Sequence, residues 1–237
     1  MKYSVCIPMY NEESIICDTA KKLTAYLEQT YGEDYELIFY DDGSSDSSAE
    51  MVKNLSLPHV RVIEGKENHG KGRGVKVSVL ASKGKYVMFT DADLAYGCDT
   101  IKKMFDSLEA DKSASLSIGS RNISADGYDG YTLIRKFASK AYIKVLTVLG
   151  GLKCSDSQCG CKAFIGEKIR PVLEKCKIDG FAFDFEIILR AQKAGLKIIE
   201  VPVKIINHRQ SKVHLIRDAF NMLGDIAKIN RMIRKEK

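Results

Sequence analysis

Two aspartates one residue apart are the clearest sign of chemistry in this sequence. Asp91 and Asp93 follow a short apolar run, residues 85–88, that is typical of a buried β-strand. Side chains alternate along an extended chain, so we expect both carboxylates to begin on the same side. At the carboxyl end of a buried strand, such a pair can hold Mg²⁺ or Mn²⁺ against a diphosphate. A lone Asp-x-Asp is also common in solvated turns, so the rest of the chain must decide between the two.

The segments that must position this pair alternate between strand and helix. Predicted strands span residues 3–7, 35–40, 60–63, 115–118 and 197–203, besides the one before Asp91. Apolar residues at helical spacing predict helices over residues 15–27, 49–55, 75–80, 99–108, 133–149, 181–189 and 215–233. Strand and helix alternate three times with short connections, which predicts a parallel sheet covered by helices.

Composition is that of an ordinary globular protein with a basic end. Hydrophobic residues make up 45% of the 237 residues and charged residues 29%, with no repeat or linker, so we expect one domain. The formal net charge is +6, and residues 201–237 carry nine basic side chains against three acidic ones. A basic tail suits anionic lipid headgroups or phosphates. No nucleic-acid-binding module is recognisable, so nucleic acid is the weaker choice of partner.

Cysteines and hydropathy bear on the compartment. The seven cysteines are an odd number, and Cys154, Cys159 and Cys161 lack a fourth ligand at zinc-like spacing. Reduced thiols of a cytosolic protein are the preferred interpretation. The chain enters a strand pattern from its first residues, which leaves no signal peptide, and no apolar run approaches the ~20 residues of a membrane span. We therefore expect a cytoplasmic protein with at most a peripheral membrane contact.

Two common nucleotide-binding classes do not fit. A nicotinamide dehydrogenase would follow its first strand with G-x-G-x-x-G, whereas this strand runs into Pro8-Met9-Tyr10-Asn11-Glu12. Gly70, Gly72 and Gly74 follow the third strand and match neither that fingerprint nor the P-loop pattern.

Nine short motifs follow one another along the chain: IPMYNE at 7–12, DDGS at 41–44, NHGKG at 68–72, DAD at 91–93, GSR at 119–121, DSQCG at 156–160, DFE at 184–186, EVPV at 200–203 and SKV at 211–213. In this order they resemble the inverting family 2 glycosyltransferases of GT-A fold, above all the polyprenyl-phosphate (dolichyl-phosphate) glucosyl- and mannosyltransferases. The resemblance covers nearly the whole chain and implies one α/β Rossmann-like domain, with a mostly parallel sheet between helices. We expect that domain over residues 1–212 and an amphipathic basic helix over 213–237, packed on it or extending from it.

The resemblance implies a site for a nucleotide sugar. Pro8, Tyr10 and Glu12 would form a floor for base and ribose, and Asp41 or Asp42 would accept a base N–H. Without the resemblance, the alternative for that aspartate pair is a β-turn with an Asp cap. The complete predicted set is Pro8, Tyr10, Glu12, Asp41, Asp42, Lys71, Asp91, Ala92, Asp93 and Lys212, with Asp91 and Asp93 also holding the metal.

The acceptor side follows from the same resemblance. A phosphate monoester is already nucleophilic, so its transfer needs positive charge more than a strong base. Arg121 matches the family's Gly-Ser-Arg motif, and Arg135 and Ser139, one helical turn apart, match its phosphate-holding pair. Asp156 is the first candidate for a catalytic or acceptor-positioning carboxylate, and Asp184 is the second. The alternatives are an exposed charged helix face for Arg135 and a loop or helix cap for either aspartate.

Departures from the family pattern bear on the sugar. Ala95 stands where mannosyl-transferring relatives carry a glutamine, and the Gln-Cys-Gly motif favours a glucosyl donor, UDP-glucose first. Two other functions stay open: a polysaccharide or cell-wall glycan acceptor on the same fold, and a non-catalytic nucleotide-sugar-binding subunit. The intact Asp91, Asp93 and Asp156 argue against the latter. The membrane partner would be the bilayer surface or an integral membrane subunit.

The C-terminal helix is the predicted membrane contact. Its apolar stripe, residues 215–227, precedes a basic end, residues 228–237. Such a helix can lie among lipid headgroups. It can equally pack its stripe on the domain. We expect a compromise, with the first half docked and the basic end free to touch lipid.

Overall fold

A computed structural model describes residues 1–129, 133–180, 182–207 and 215–236. In these ranges the strands are β1 (Tyr3–Met9), β2 (Tyr35–Asp41), β3 (Val60–Glu64), β4 (Tyr86–Phe89), β5 (Ala114–Ser120), β6 (Lys162–Ile165) and β7 (Lys197–Pro202). The helices are α1 (Ile16–Tyr31), α2 (Ser48–Asn54), α3 (Lys71–Ala81), α4 (Asp99–Ala110), α5 (Leu133–Gly150), α6 (Gly166–Lys175), α7 (Phe183–Lys193) and α8 (Leu215–Lys235).

All seven strands join one mixed sheet in the order β3-β2-β1-β4-β6-β5-β7. The pairs β1–β2, β1–β4, β2–β3 and β5–β7 are parallel, as the alternation of strand and helix predicts. Only β6 runs antiparallel to its two neighbours, with Lys162 opposite Phe89 of β4. Sequence reasoning missed β6 and α6, because β6 is four residues long, begins with a lysine and shows no alternation. Its insertion brings the segment before Lys162 beside the end of β4.

Helices cover both faces of the sheet, which confirms the predicted α/β class. One face buries the apolar stripes of α1, α2 and α4, with Leu23 of α1 and Phe105 of α4 fully enclosed. The other face buries α3, α6 and α7, with Val79 and Leu173 enclosed. Burying the sheet on both faces leaves its carboxyl-terminal edge as the place where polar side chains can gather.

The C-terminal half of α8 is docked, which corrects the expected arrangement. Ile226, Ile229 and Ile233 are buried in a cluster with side chains of α7. Glu236 also pairs with Arg190 of α7 at 2.6 Å. The apolar repeat continues into the basic segment, so that segment must pack as well. The predicted stripe at 215–223 has side chains outside the described residues.

Deleting residues 228–237 would therefore remove core side chains along with the charges, so it is not a clean test of lipid binding. Lys228 and Arg231 are exposed on the outer face of α8, where point substitutions leave the core intact. Within the described ranges, no helix combines the length and apolar character needed to cross a bilayer.

Candidate active site

Three of the residues predicted to bind the nucleotide sugar lie at one edge of the sheet. Pro8 lies near the carboxyl end of β1, Asp41 ends β2, and Asp91 follows β4. These three strands are parallel neighbours, so their carboxyl ends meet side by side. This edge, with the start of α3 and the segment preceding β6, forms the candidate site.

Two loops, one after β1 and one after β2, are joined by hydrogen bonds and form one end of the site. The hydroxyl of Ser44 accepts the Asn11 N–H at 2.9 Å, and Asn11 Oδ1 accepts the Ser45 N–H at 2.9 Å. The N–H of Glu12 donates to Ser48 Oγ at 2.8 Å. These bonds hold Asn11 in the left-handed region, at φ 52°. The loop leaves the ring of Tyr10 42% exposed, where a planar group can pack on it.

Asp41 and Asp42 behave differently although both are buried. Asp41 accepts the N–H and hydroxyl of Ser44 at 3.0 and 2.5 Å, which is the turn cap that the sequence left open. Asp42 uses Oδ2 to accept the N–H groups of His69 and Gly70 at 3.1 and 2.6 Å. Its buried Oδ1 has no hydrogen-bond partner among the described residues. Burial raises the pKa of Asp42. Of the two, Asp42 retains an unused acceptor atom.

The Asp91-Ala92-Asp93 stretch is a turn, so strand alternation does not orient its carboxylates. β4 ends at Phe89, and the Leu94 N–H donates to the Asp91 carbonyl at 3.0 Å. Asp93 Oδ1 accepts the Ala95 N–H at 3.0 Å. The methyl of Ala92 packs in the core, and its part in nucleotide-sugar binding stays a prediction. The alternation argument was wrong because the extended segment stops before the first aspartate.

Asp91 lies between a cation and a glycine. Lys71, the first residue of α3, forms a close ion pair with Asp91 Oδ1. A Cβ on Gly160 would lie 2.1 Å from Asp91 Oδ2. A side chain at position 160 would therefore displace the carboxylate. The Gln-Cys-Gly motif thus has a packing role that sequence reasoning did not assign.

The donor set around Asp91 fits a divalent metal only with help from a substrate. No three His, Cys, Asp or Glu side chains of the described ranges converge on one metal position. Asp91 and Asp93 nevertheless offer hard carboxylate oxygens beside Lys71, whose charge interacts with both. Mg²⁺ is commonly held by one or two carboxylates plus phosphate oxygens and water. The residues present fit that mode of binding.

A buried ion pair lies behind this end of the site, and sequence reasoning missed half of it. Lys162 Nζ lies 2.6 Å from Asp184 Oδ1 and donates to the Cys159 carbonyl at 2.7 Å. The Asp184 contact is an ion pair rather than an aligned hydrogen bond. Burial raises the pKa of Asp184, against the opposing effect of Lys162 and Lys71. A lysine opening an otherwise apolar strand was the available signal for this residue.

Arg121 and Asp156, predicted separately, are each other's partner. Arg121 Nε and Nη2 donate to the two carboxylate oxygens of Asp156 at 2.7 and 2.9 Å. The backbone N–H groups of Arg121 and Gln158 add bonds at 3.1 and 3.2 Å. The relative exposures of Arg121 and Asp156 are 7% and 0%. In this arrangement the charges of Arg121 and Asp156 neutralise one another. The substrate roles predicted for them therefore remain predictions.

The remaining predicted residues are described in part. Ser139 lies half-buried on α5, one turn beyond Arg135, whose side chain lies outside the described residues. Lys212 also lies outside them. On the neighbouring turns of α5, the ammonium groups of Lys136 and Lys140 lie 5.9 and 5.5 Å from the centre of the Tyr128 ring. The part of the site next to α5 and Tyr128 is therefore basic.

The sequence matches the family model described as Glycosyl transferase family 2 over residues 4–172. The chain is 32% identical to the dolichyl-phosphate beta-glucosyltransferase of Dictyostelium discoideum, over 95% of this chain and 73% of that protein. It is 28% identical to the dolichyl-phosphate beta-glucosyltransferase of Saccharomyces cerevisiae, over 94% of this chain and 72% of that protein. It thus spans about three quarters of the length of both relatives.

The fold has a counterpart among solved structures. Glucosyl-3-phosphoglycerate synthase from Mycobacterium tuberculosis, in complex with Mn²⁺, UDP-glucose and glycerol 3-phosphate, matches with a TM-score of 0.72 at 18% identity. The match covers 96% of this chain and 79% of that one. Identity at this level shows the fold alone, while the sequence matches show the family. This chain belongs to glycosyl transferase family 2, and it is a glycosyltransferase of the GT-A fold.

Proposed function

We propose that this glycosyltransferase moves glucose from UDP-glucose to a polyprenyl phosphate, using Mg²⁺ or Mn²⁺ and inverting the anomeric centre. The observation that carries the donor half is the shared sheet edge, where an unused acceptor on Asp42, a cation on Lys71 and the carboxylates of Asp91 and Asp93 follow one another. In that order, these side chains suit a nucleotide base, a diphosphate and a metal ion.

Each side chain of the donor half has a definite task. Asp42 Oδ1 accepts a ring N–H of uracil, because that bond would satisfy a buried acceptor. Tyr10, exposed beside it, packs on the base or ribose. Lys71 meets the diphosphate. A metal held by Asp91 and Asp93 would neutralise charge on the departing diphosphate.

The acceptor half draws on the relatives and on charge. Both curated relatives bear names that state transfer of glucose to dolichyl phosphate. A phosphate oxygen attacks the anomeric carbon from the face opposite the leaving UDP, and no strong base is needed. Arg135, Ser139 and the lysines of α5 supply the positive, hydrogen-bonding environment that holds such an acceptor.

A product assay tests the proposal. The purified chain would be incubated with UDP-glucose, UDP-galactose or GDP-mannose, a short polyprenyl phosphate, and Mg²⁺ or Mn²⁺. We expect a glucosyl-phosphoryl-polyprenol with UDP-glucose and little product with GDP-mannose. Transfer to an oligosaccharide, with none to the lipid phosphate, would favour the glycan acceptor instead. Failure to turn over any donor would contradict the proposal.

We place the membrane contact of this enzyme on the outer face of α5. Phe137, Val145 and Val148 are 76%, 41% and 71% exposed there. Lys140 and Lys144 lie exposed on the same stretch of helix. Exposed apolar side chains with interspersed lysines suit an anionic bilayer, where each cation contributes about 1 kcal/mol. The α5 face also begins beside the residues proposed to hold the acceptor phosphate, so a lipid acceptor could stay in the bilayer.

Liposome flotation should separate α5 from α8. We expect the chain to float with anionic vesicles, to release in high salt, and to lose at least tenfold in partitioning when Phe137 and Val148 are both changed to serine. Burying such side chains stabilises by roughly 1.5–3 kcal/mol each. Ile206→Ser, which removes an apolar side chain 51% exposed in the segment after β7, is the matched control. Equal flotation of the double variant, with a loss for Lys228→Glu/Arg231→Glu, would assign the contact to α8.

Gly160→Ala should damage the site through Asp91. The new Cβ would require the carboxylate to move, because it would lie 2.1 Å from Oδ2. We expect initial rates to fall at least tenfold, with near-normal thermal unfolding. Gly180→Ala is the control, since a Cβ there meets nothing within 4 Å. Full activity of Gly160→Ala would show that the position of Asp91 is not critical.

A further inference from the structure

Two lysines form ion pairs at or behind the candidate metal position, and their side chains differ in burial. The side chain of Lys162 is fully buried between Asp184 and the Cys159 carbonyl. The side chain of Lys71 is 26% exposed and pairs with Asp91, itself 32% exposed. Lys162 therefore lacks room to leave its partners, whereas Lys71 can swing toward solvent or a bound ligand.

The Lys71–Asp91 pair conflicts with the tasks proposed for its two members. A carboxylate that binds a metal and an ammonium that binds a diphosphate are both occupied while they bind each other. Gly70 and Gly72 hold the backbone at Lys71 close to Asp179, because a Cβ on either would lie within 3 Å of the Asp179 carbonyl. The backbone is thus fixed, and only the flexible side chain can exchange partners.

We propose that Lys71 is an internal counter-ion. Its ammonium pairs with Asp91 when no nucleotide is bound and moves to the diphosphate when the nucleotide binds. The inference rests on the proposed UDP-sugar donor. Without nucleotide, the Lys71 ammonium neutralises the Asp91 carboxylate, as a metal ion would. Diphosphate draws the ammonium away, and Asp91 is then exposed to the metal that accompanies the nucleotide. Nucleotide and metal binding are therefore coupled through one side chain.

The surrounding charges favour such an exchange. Asp91, Asp184 and Asp93 all lie close enough to interact electrostatically with the Lys71 ammonium. Asp184 is already neutralised by Lys162, so among the described residues Lys71 is the cation that pairs with Asp91. A divalent cation held by Asp91 would repel the Lys71 ammonium and so favour its contact with the phosphates.

Calorimetry with UDP as the probe, in EDTA, tests the exchange with four proteins: wild type, Asp91→Asn, Lys71→Met and the double variant. In wild type, UDP must compete with Asp91 for Lys71. We expect Asp91→Asn to bind UDP at least fivefold tighter than wild type. We expect a clearly smaller gain when the same change is made in Lys71→Met, because no ammonium remains to be released and only repulsion between Asp91 and the diphosphate is relieved. Lys193→Met, which removes an exposed lysine at the last residue of α7, should match wild type.

Manganese alone provides the second measurement. By electron paramagnetic resonance, Lys71→Met should bind Mn²⁺ at least tenfold tighter than wild type without nucleotide, and Lys71→Arg should resemble wild type. The inference is overturned if Asp91→Asn fails to tighten UDP, if the gain is undiminished without Lys71, or if Lys71→Met and wild type bind Mn²⁺ equally. Absence of UDP binding by wild type in the presence of Mn²⁺ would instead contradict the proposed donor.

Discussion

Replacing Asp91 with asparagine is expected to lower kcat/KM for the nucleotide sugar at least a hundredfold, and Asp93→Asn should act in the same direction. A hundredfold loss corresponds to about 2.7 kcal/mol of transition-state stabilisation. The physical reason is the loss of a carboxylate that would hold the metal against the developing charge of the leaving diphosphate. Initial rates at saturating Mg²⁺ or Mn²⁺ provide the measurement.

The loss should be catalytic rather than structural. The side chain of Asp91 is 32% exposed and its ion pair with Lys71 is partly solvated, so we expect the thermal midpoint to change little. Asp99→Asn, an exposed carboxylate in the first turn of α4, is the matched control and should retain full activity. Undiminished turnover in excess EDTA would contradict the metal requirement from which this prediction starts.

Arg121→Ala should cost roughly 3–5 kcal/mol of unfolding free energy, because it leaves the carboxylate of Asp156 buried and unpaired. Urea denaturation measures the effect. Lys102→Ala breaks the exposed pair with Asp106 and should cost less than about 1 kcal/mol, so it serves as the control. An Arg121→Met/Asp156→Leu double variant should recover much of the loss, since it removes both charges together.

The same variant decides between two roles for Arg121. The family resemblance predicts a contact with the acceptor phosphate, for which Arg121→Ala and Arg135→Ala would raise the acceptor KM and spare nucleotide binding. If Arg121→Ala has wild-type stability and a raised acceptor KM, Arg121 is an acceptor-binding residue and the pair with Asp156 exchanges partners during the reaction. A destabilised variant with an unchanged KM would identify Arg121 as a support for the loop after β5.

The sequence by itself determined the α/β class, the order of most strands and helices, and the family. These follow from local information: apolar periodicity distinguishes strand from helix, and motif order survives without knowledge of contacts. The sequence also indicated which site residues lie at strand or helix ends, namely Asp41, Asp42, Asp91 and Lys71. Parallel strands joined by helices must bring such ends to one edge.

Only the tertiary structure decided what those side chains contact. Nothing in the sequence pairs Arg121 with Asp156, or places Gly160 against Asp91 and Lys162 beside Asp184, because the partners of each pair lie on separate elements. The same holds for α8, whose amphipathic pattern fits a membrane surface and a protein core equally well. Periodicity states which face of an element is apolar, whereas the packing of its neighbours determines what covers that face and which charges meet.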